Sequence, residues 1–176
     1  MEIKNQLIKD SGWNNIAIID ELEGDTTGHA DGMVSFIDTN VLALSDLGDK
    51  AMNAKYKNSL QTQLGPEINV VVVPSAYNPT KWRGFTSACG AHVNSLVNDK
   101  YVYMPLFFDD PENTEIDKDI FSLFKDNTKK TVVPISVPHV ICRMGGNLRC
   151  LSWQVEGQIA DKLVAAAASA YDSMFK

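Results

Sequence analysis

Met33-Val34-Ser35-Phe36-Ile37-Asp38-Thr39-Asn40-Val41-Leu42-Ala43-Leu44 reads as two short apolar strands around a polar turn. Asp38-Thr39-Asn40 carries the turn chemistry, and the flanking runs carry β-favouring residues, so the segment predicts a hairpin. Downstream, Asp49 to Leu64 is rich in Lys and Gln with spaced apolar residues, which predicts an exposed helix stopped by Gly65-Pro66. Ile68 to Val73 is valine-rich and predicts a buried strand. Upstream, the short apolar run Ile16 to Ile19 predicts another strand, followed by a glycine-rich loop from Glu23 to Gly28.

The same order returns further along. His92 to Val97 and Tyr101 to Leu106 flank Asn98-Asp99-Lys100 as a second hairpin. A helix from about Thr114 to Phe124 follows, with Ile116, Ile120, Leu123 and Phe124 on one face, and then a strand from Thr131 to Ser136. The two hairpins lie about 60 residues apart, so the chain reads as repeated strand-strand-helix-strand units. They span about 30–73 and 90–136, with a partial third unit over 148–176: a strand from Leu148 to Val155 and a helix from Ile159 to Phe175. That last helix holds a run of small residues and reads as an ordinary packed terminal helix. Pro74 to Gly90 between the complete units reads as a loop able to cover a site.

Composition narrows the function classes. The chain has 176 residues, 44% hydrophobic and 22% charged, the values of an ordinary globular α/β domain. A net charge of −6 and a single short basic cluster, Lys129-Lys130, argue against a nucleic-acid partner. No apolar run approaches the roughly 18 residues of a membrane span, and the polar start lacks a signal-peptide core. A cytoplasmic location and no membrane partner are the expectation. The three cysteines, Cys89, Cys142 and Cys150, are odd in number and lack CxxC spacing, which argues against a disulfide framework and a structural zinc site. Cys89 and Cys142 read as buried core cysteines.

Two segments carry chemistry. In Gly28-His29-Ala30-Asp31-Gly32, His29 and Asp31 are two apart, which on a strand places both side chains on one face. The imidazole titrates near neutral pH, and the carboxylate can hold a cation. In Gly145-Gly146-Asn147-Leu148-Arg149-Cys150, a Gly-Gly-Asn turn leads into an expected strand bearing a thiol, and the glycines leave room for a ligand beside the backbone.

Together these segments resemble the agmatine deiminase and bacterial peptidyl-arginine deiminase family. Its paired signatures are a His-x-Asp turn and a Gly-Gly-Asn-x-x-Cys turn. Ala91-His92-Val93-Asn94, then Val102 to Phe107, is similar to the family's Ser-Tyr-x-Asn strand and its following apolar strand, and Asp109-Asp110-Pro111 to the turn before its helix. The resemblance covers about residues 13–155. It implies a pentein fold, an α/β propeller of five ββαβ units, of which this chain would supply about half as a single partial domain. It further implies Cys150 as nucleophile, His29 as general acid and base, and Asp31 as the carboxylate gripping a guanidinium. Gly145, Gly146 and Asn147 would border the substrate. No metal or organic cofactor is implied.

The chain departs from the family in one large respect. No Trp-x-Arg-Asp-x-Gly-Pro segment is present, and the carboxylates of the N-terminal half are missing. Expected partners are therefore a small guanidino substrate and either an N-terminal-half chain or a second copy. Glu21, Glu23 or Asp25 are the local carboxylates that could replace the missing ones. The alternative is a catalytically incomplete fragment that binds guanidino compounds or a protein. An amide-cleaving Cys-His hydrolase is a further class, distinguished by its products.

Overall fold

The computed structural model describes residues 2–22, 28–75, 81–107, 114–152, 154–155 and 157–175. The expected loop residues Glu23 to Thr27, with Glu23 and Asp25, the Asn78-Pro79-Thr80 part of the expected cover, and the Asp109-Asp110-Pro111 turn lie outside the described residues.

The first unit joins β1 (Val34–Asp38), β2 (Val41–Ser45), α2 (Lys50–Leu64) and β3 (Asn69–Val73). β1 and β2 pair antiparallel through the Asp38-Thr39-Asn40 turn. β2 then pairs parallel with β3, with Leu42 opposite Val70 and Leu44 opposite Val72, so α2 is the crossover. The Asp49 carboxylate caps α2 by accepting the Met52 N–H at 2.7 Å. Gly65 ends the helix at φ 121°, a backbone conformation that favours glycine. Tyr56 and Leu60, four apart on one face, pack with Leu42, Leu44, Ile68 and Val70.

The second unit repeats this topology. β6 (Leu96–Val97) pairs antiparallel with β7 (Tyr101–Leu106), which pairs parallel with β8 (Thr131–Ser136) after α3 (Thr114–Asn127). Ile120 and Phe124 of α3 are fully buried against Val102, Met104 and Leu106. The same cluster holds Ile37, Ala43 and Val73 of the first unit, so one core spans both sheets. Asp38 adds a polar tie. Its Oδ2 accepts the Lys129 N–H at 2.7 Å and the Thr128 hydroxyl at 3.1 Å. These N–H donors, Lys129 first and then Thr39, hold the Asp38 carboxyl below its ordinary range.

The architecture is thus α/β with two mixed three-stranded sheets, and among the described residues they do not close into a propeller or barrel. Several local expectations need correction. Ile16 to Ile19 is not a strand. Ile18 instead exchanges two hydrogen bonds with the Gln63 side chain, which occupies the place of a partner strand. His92 to Ser95 turns rather than extends: His92, Asn94 and Ser95 N–H groups donate to the carbonyls of Gly90, Ala91 and Val93. Among the described residues of the expected strand from Leu148 to Val155 there is no strand either, because Arg149–Leu151 forms a 3-10 turn.

Two helices and a two-stranded hairpin have no counterpart among the sequence expectations. They are α1 (Glu2–Ser11), the short hairpin of β4 (Lys81–Trp82) and β5 (Phe85–Thr86) inside the expected loop, and α4 (His139–Arg143). The terminal helix α5 (Gly157–Phe175) is present but not packed as expected, with Val164 69% and Met174 69% exposed. Among the described residues, no helix is long and apolar enough to cross a membrane.

Candidate active site

His29 and Asp31 precede β1, but not on a strand. Ala30–Gly32 forms a 3-10 turn, closed by the Gly32 N–H to the His29 carbonyl at 3.3 Å and the Met33 N–H to the Ala30 carbonyl at 3.0 Å. The one-face argument from strand spacing therefore does not apply. His29 is exposed at the start of the turn, and Asp31 is half-buried. The Ser45 N–H donates to the Met33 carbonyl at 2.8 Å, which fixes the turn to the end of β2.

Cys150 lies on a second 3-10 turn, Arg149–Leu151, and is an exposed free thiol. The chain reaches it from α4. Met144, Gly145 and Gly146 N–H groups donate back to the carbonyls of Ile141, Cys142 and Ile141. Gly145 has φ 87°, where an L side chain is strained. A Cβ on Gly146 would stand 3.1 Å from the Ile141 Cγ2. The demand is thus conformational at Gly145 and steric at Gly146, and together they fold the turn closely onto β5 and α4. Asn147 is buried with both ends of its amide engaged. Nδ2 donates to the Ala91 carbonyl at 2.9 Å and the Ala88 carbonyl at 3.4 Å, while Oδ1 accepts the Leu148 N–H at 2.7 Å.

Asn94 joins the two turns. Its Oδ1 accepts the Arg149 N–H at 2.8 Å. Its Nδ2 donates to the Asp31 carbonyl at 3.4 Å and to the Cys150 Sγ at 3.9 Å. The structure thereby brings the Asp31 backbone and the Cys150 thiol, over a hundred positions apart in the sequence, onto one buried amide. In the sequence Asn94 reads only as part of an expected strand. No local signal singles it out, because His92 and Ser95 beside it are polar and buried too.

The supporting layer corrects the cysteine reading. Cys89 and Cys142 are buried, as expected, but they form a disulfide with Cα atoms 4.7 Å apart. The odd count misled because the third cysteine is the free one. The disulfide clamps the segment that carries Asn94 against the segment that carries Cys150. Nearby, the Ala88 N–H donates to the Cys142 carbonyl at 2.8 Å. His92, fully buried, is held between the Gly90 carbonyl at its Nδ1 and the Asp117 carboxylate at its Nε2. Asp117 also accepts the Phe107 N–H at 2.9 Å, so α3, β7 and the 90–95 turn are locked together.

An open hollow of about 470 Å³, lined by Asp38, Asp99, Lys100, Lys129 and Lys130, sits at the hairpin tips. It is at the far ends of β1 and β7 from His29, Asn94 and Cys150, so it is not part of this site.

An α/β chain of paired ββαβ units, with its Gly-Gly-Asn-x-x-Cys turn and its His-x-Asp turn joined through Asn94, resembles the pentein-type folds. The chain belongs to the Porphyromonas-type peptidyl-arginine deiminase family, whose family model matches residues 1–155. Helix α5 lies beyond that match. The fold is similar to that of C. jejuni agmatine deiminase (TM-score 0.59, 21% identity, covering 85% of this chain and 45% of that one). It is similar in the same way to an agmatine deiminase of Enterococcus faecalis (TM-score 0.61, 14% identity, 85% and 46%). The chain thus spans just under half the length of these solved relatives. Among curated proteins, none matches it.

Proposed function

We propose that this chain supplies Cys150, His29 and Asp31 to the site of a guanidine deiminase acting on agmatine or a similar small guanidino compound, with peptidyl arginine as the second substrate class. The observation that carries this reading is the Asn94 amide, bonded at once to the Asp31 carbonyl and the Cys150 sulfur. Family membership supports the same chemistry.

A guanidinium is planar, cationic and a poor electrophile, so it needs carboxylate partners and a nucleophile held over its central carbon. In this reading the Asp31 carboxylate accepts guanidinium N–H groups. The Cys150 thiolate forms a C–S bond at the central carbon. His29 protonates the departing nitrogen, the C–N bond breaks and ammonia leaves. The covalent thiouronium is then attacked by water, which gives its proton to His29. The C–S bond breaks, the thiolate returns and the product is ureido. Gly145, Gly146 and Asn147 serve here as the turn that presents Cys150, with exposed Gly145 and half-buried Gly146 bordering the substrate and buried Asn147 holding the turn.

His29 and Cys150 are both exposed in this chain. An ion pair at 4 Å is worth about 1 kcal/mol in bulk water and about 4 kcal/mol near a protein surface, so an open site grips a guanidinium weakly. A second chain that covers the site and adds carboxylates completes it, either a chain bearing the other half or a second copy of this one. The test is ureido product from agmatine and from an arginine peptide, with the chain alone and with such a partner, and Cys150→Ala as control. Product that vanishes in the variant supports the reading. Saturable guanidino binding without product under either condition would replace it with the binding-module alternative, and cleaved amides would replace it with a Cys-His hydrolase.

A further inference from the structure

We infer that Asn94 is a positioning residue for Cys150, holding its sulfur toward the Asp31 turn and donating an N–H to the thiolate. The inference rests on the reading of Cys150 as nucleophile, but it stands on separate geometry. The orientation of the Asn94 amide follows from its partners. The Arg149 N–H can only donate, so the Asn94 oxygen must face it, at 2.8 Å. The Asp31 carbonyl can only accept, so the amide nitrogen must face that side, at 3.4 Å. One N–H is used by Asp31, which leaves the second for the Cys150 Sγ at 3.9 Å.

A neutral thiol gains little from such a donor, because sulfur is a weak acceptor. A thiolate gains more, because hydrogen bonds to charged acceptors are the stronger class. The contact therefore discriminates between the two forms of the nucleophile. Asn94 is itself buried, so its aim does not depend on a free surface rotamer. Through Oδ1 it also fixes the backbone one residue before the sulfur, which limits where Sγ can point. His92 and Ser95, its buried neighbours in the same turn, are engaged with Asp117 and the His92 carbonyl and leave the thiol to Asn94.

The test uses alkylation of the full chain by iodoacetamide across pH, with the Cys89–Cys142 disulfide intact so that Cys150 alone reacts. Asn94→Ala removes both the donor and the Arg149 anchor. Asn94→Asp keeps an oxygen for the Arg149 N–H but replaces the donor with an acceptor, and it serves if the alanine variant fails to fold. The expected result is a profile moved to higher pH in both variants, with alkylation at neutral pH slowed roughly three- to tenfold. Profiles that coincide with the unchanged chain would overturn the inference. A shift in Asn94→Ala alone would also overturn it, because the amide would then act only as a backbone anchor. Alkylation needs no guanidino substrate, so a failed deiminase assay and a failed Asn94 inference are distinguishable.

Discussion

The Asn147 side chain donates to the Ala91 carbonyl at 2.9 Å, joining the turn before Cys150 to the turn that contains Asn94. Both groups are buried, and the amide oxygen is meanwhile occupied by the Leu148 N–H. Asn147→Ala leaves that buried N–H without its partner and strips the Ala91 carbonyl of its side-chain donor, leaving it the Asn94 N–H alone. The expected cost is about 1–3 kcal/mol. In a chain of this size that is a fall in Tm of about 3–10 °C, read by thermal unfolding.

The Cys89–Cys142 disulfide closes a loop with a sequence separation of 53. Chain-entropy arguments give up to about 4 kcal/mol for a loop of that length. Thiol titration of the denatured, unreduced protein is expected to count one free thiol, Cys150, and after reduction all three cysteines. The paired Cys89→Ser, Cys142→Ser variant is expected to unfold at lower denaturant than the unchanged protein. Equal midpoints would mean the bridge adds nothing to the fold.

His92 and Asp117 are both fully buried and bonded to each other. Removing one partner of such a pair typically costs about 3–5 kcal/mol, since the other is left uncompensated. Asp117→Ala is therefore expected to be among the most destabilising single changes in the chain. Replacing both residues with apolar ones should cost less than the sum of the single changes, a coupling read from a double-mutant cycle in denaturant.

Asp38 ties the first unit to the Thr128-Lys129 turn of the second, and its carboxyl is held below the ordinary value of 3.8 by the N–H groups of Lys129 and Thr39. A depressed folded-state pKa means the carboxylate stabilises the fold above the unfolded value. That contribution is lost as pH falls below about 3.8 through the folded value. Asp38→Asn is expected to flatten this part of the stability-against-pH curve. An unchanged acid limb would show that the tie does not contribute.

The apolar runs of Met33 to Leu44 and Tyr101 to Leu106 were legible because β-favouring residues flank polar turn residues directly in the sequence. The Lys- and Gln-rich run from Asp49 and its Gly65-Pro66 stop likewise placed α2. What was not legible depends on distant partners. Ile16 to Ile19 looks like a strand, yet the Gln63 side chain takes the place of a neighbour. His92 to Ser95 has strand-like spacing, but its polar side chains are buried and find their bonds in turns. The Cys89–Cys142 bridge is invisible to cysteine counting, because spacing carries no information on approach. In the candidate site, the His29–Asp31 and Gly145–Cys150 segments stood out by residue type. The amide that joins them, Asn94, could be found only once the chain was folded.

Under the proposed function, Cys150 is the nucleophile of a guanidine deiminase. The most direct measurement is the mass of the chain, quenched with acid during incubation with agmatine and its completing partner. An adduct on Cys150, absent in Cys150→Ala, is expected together with ureido product. Ureido product that persists in Cys150→Ala, or no adduct and no product under any pairing, would contradict it.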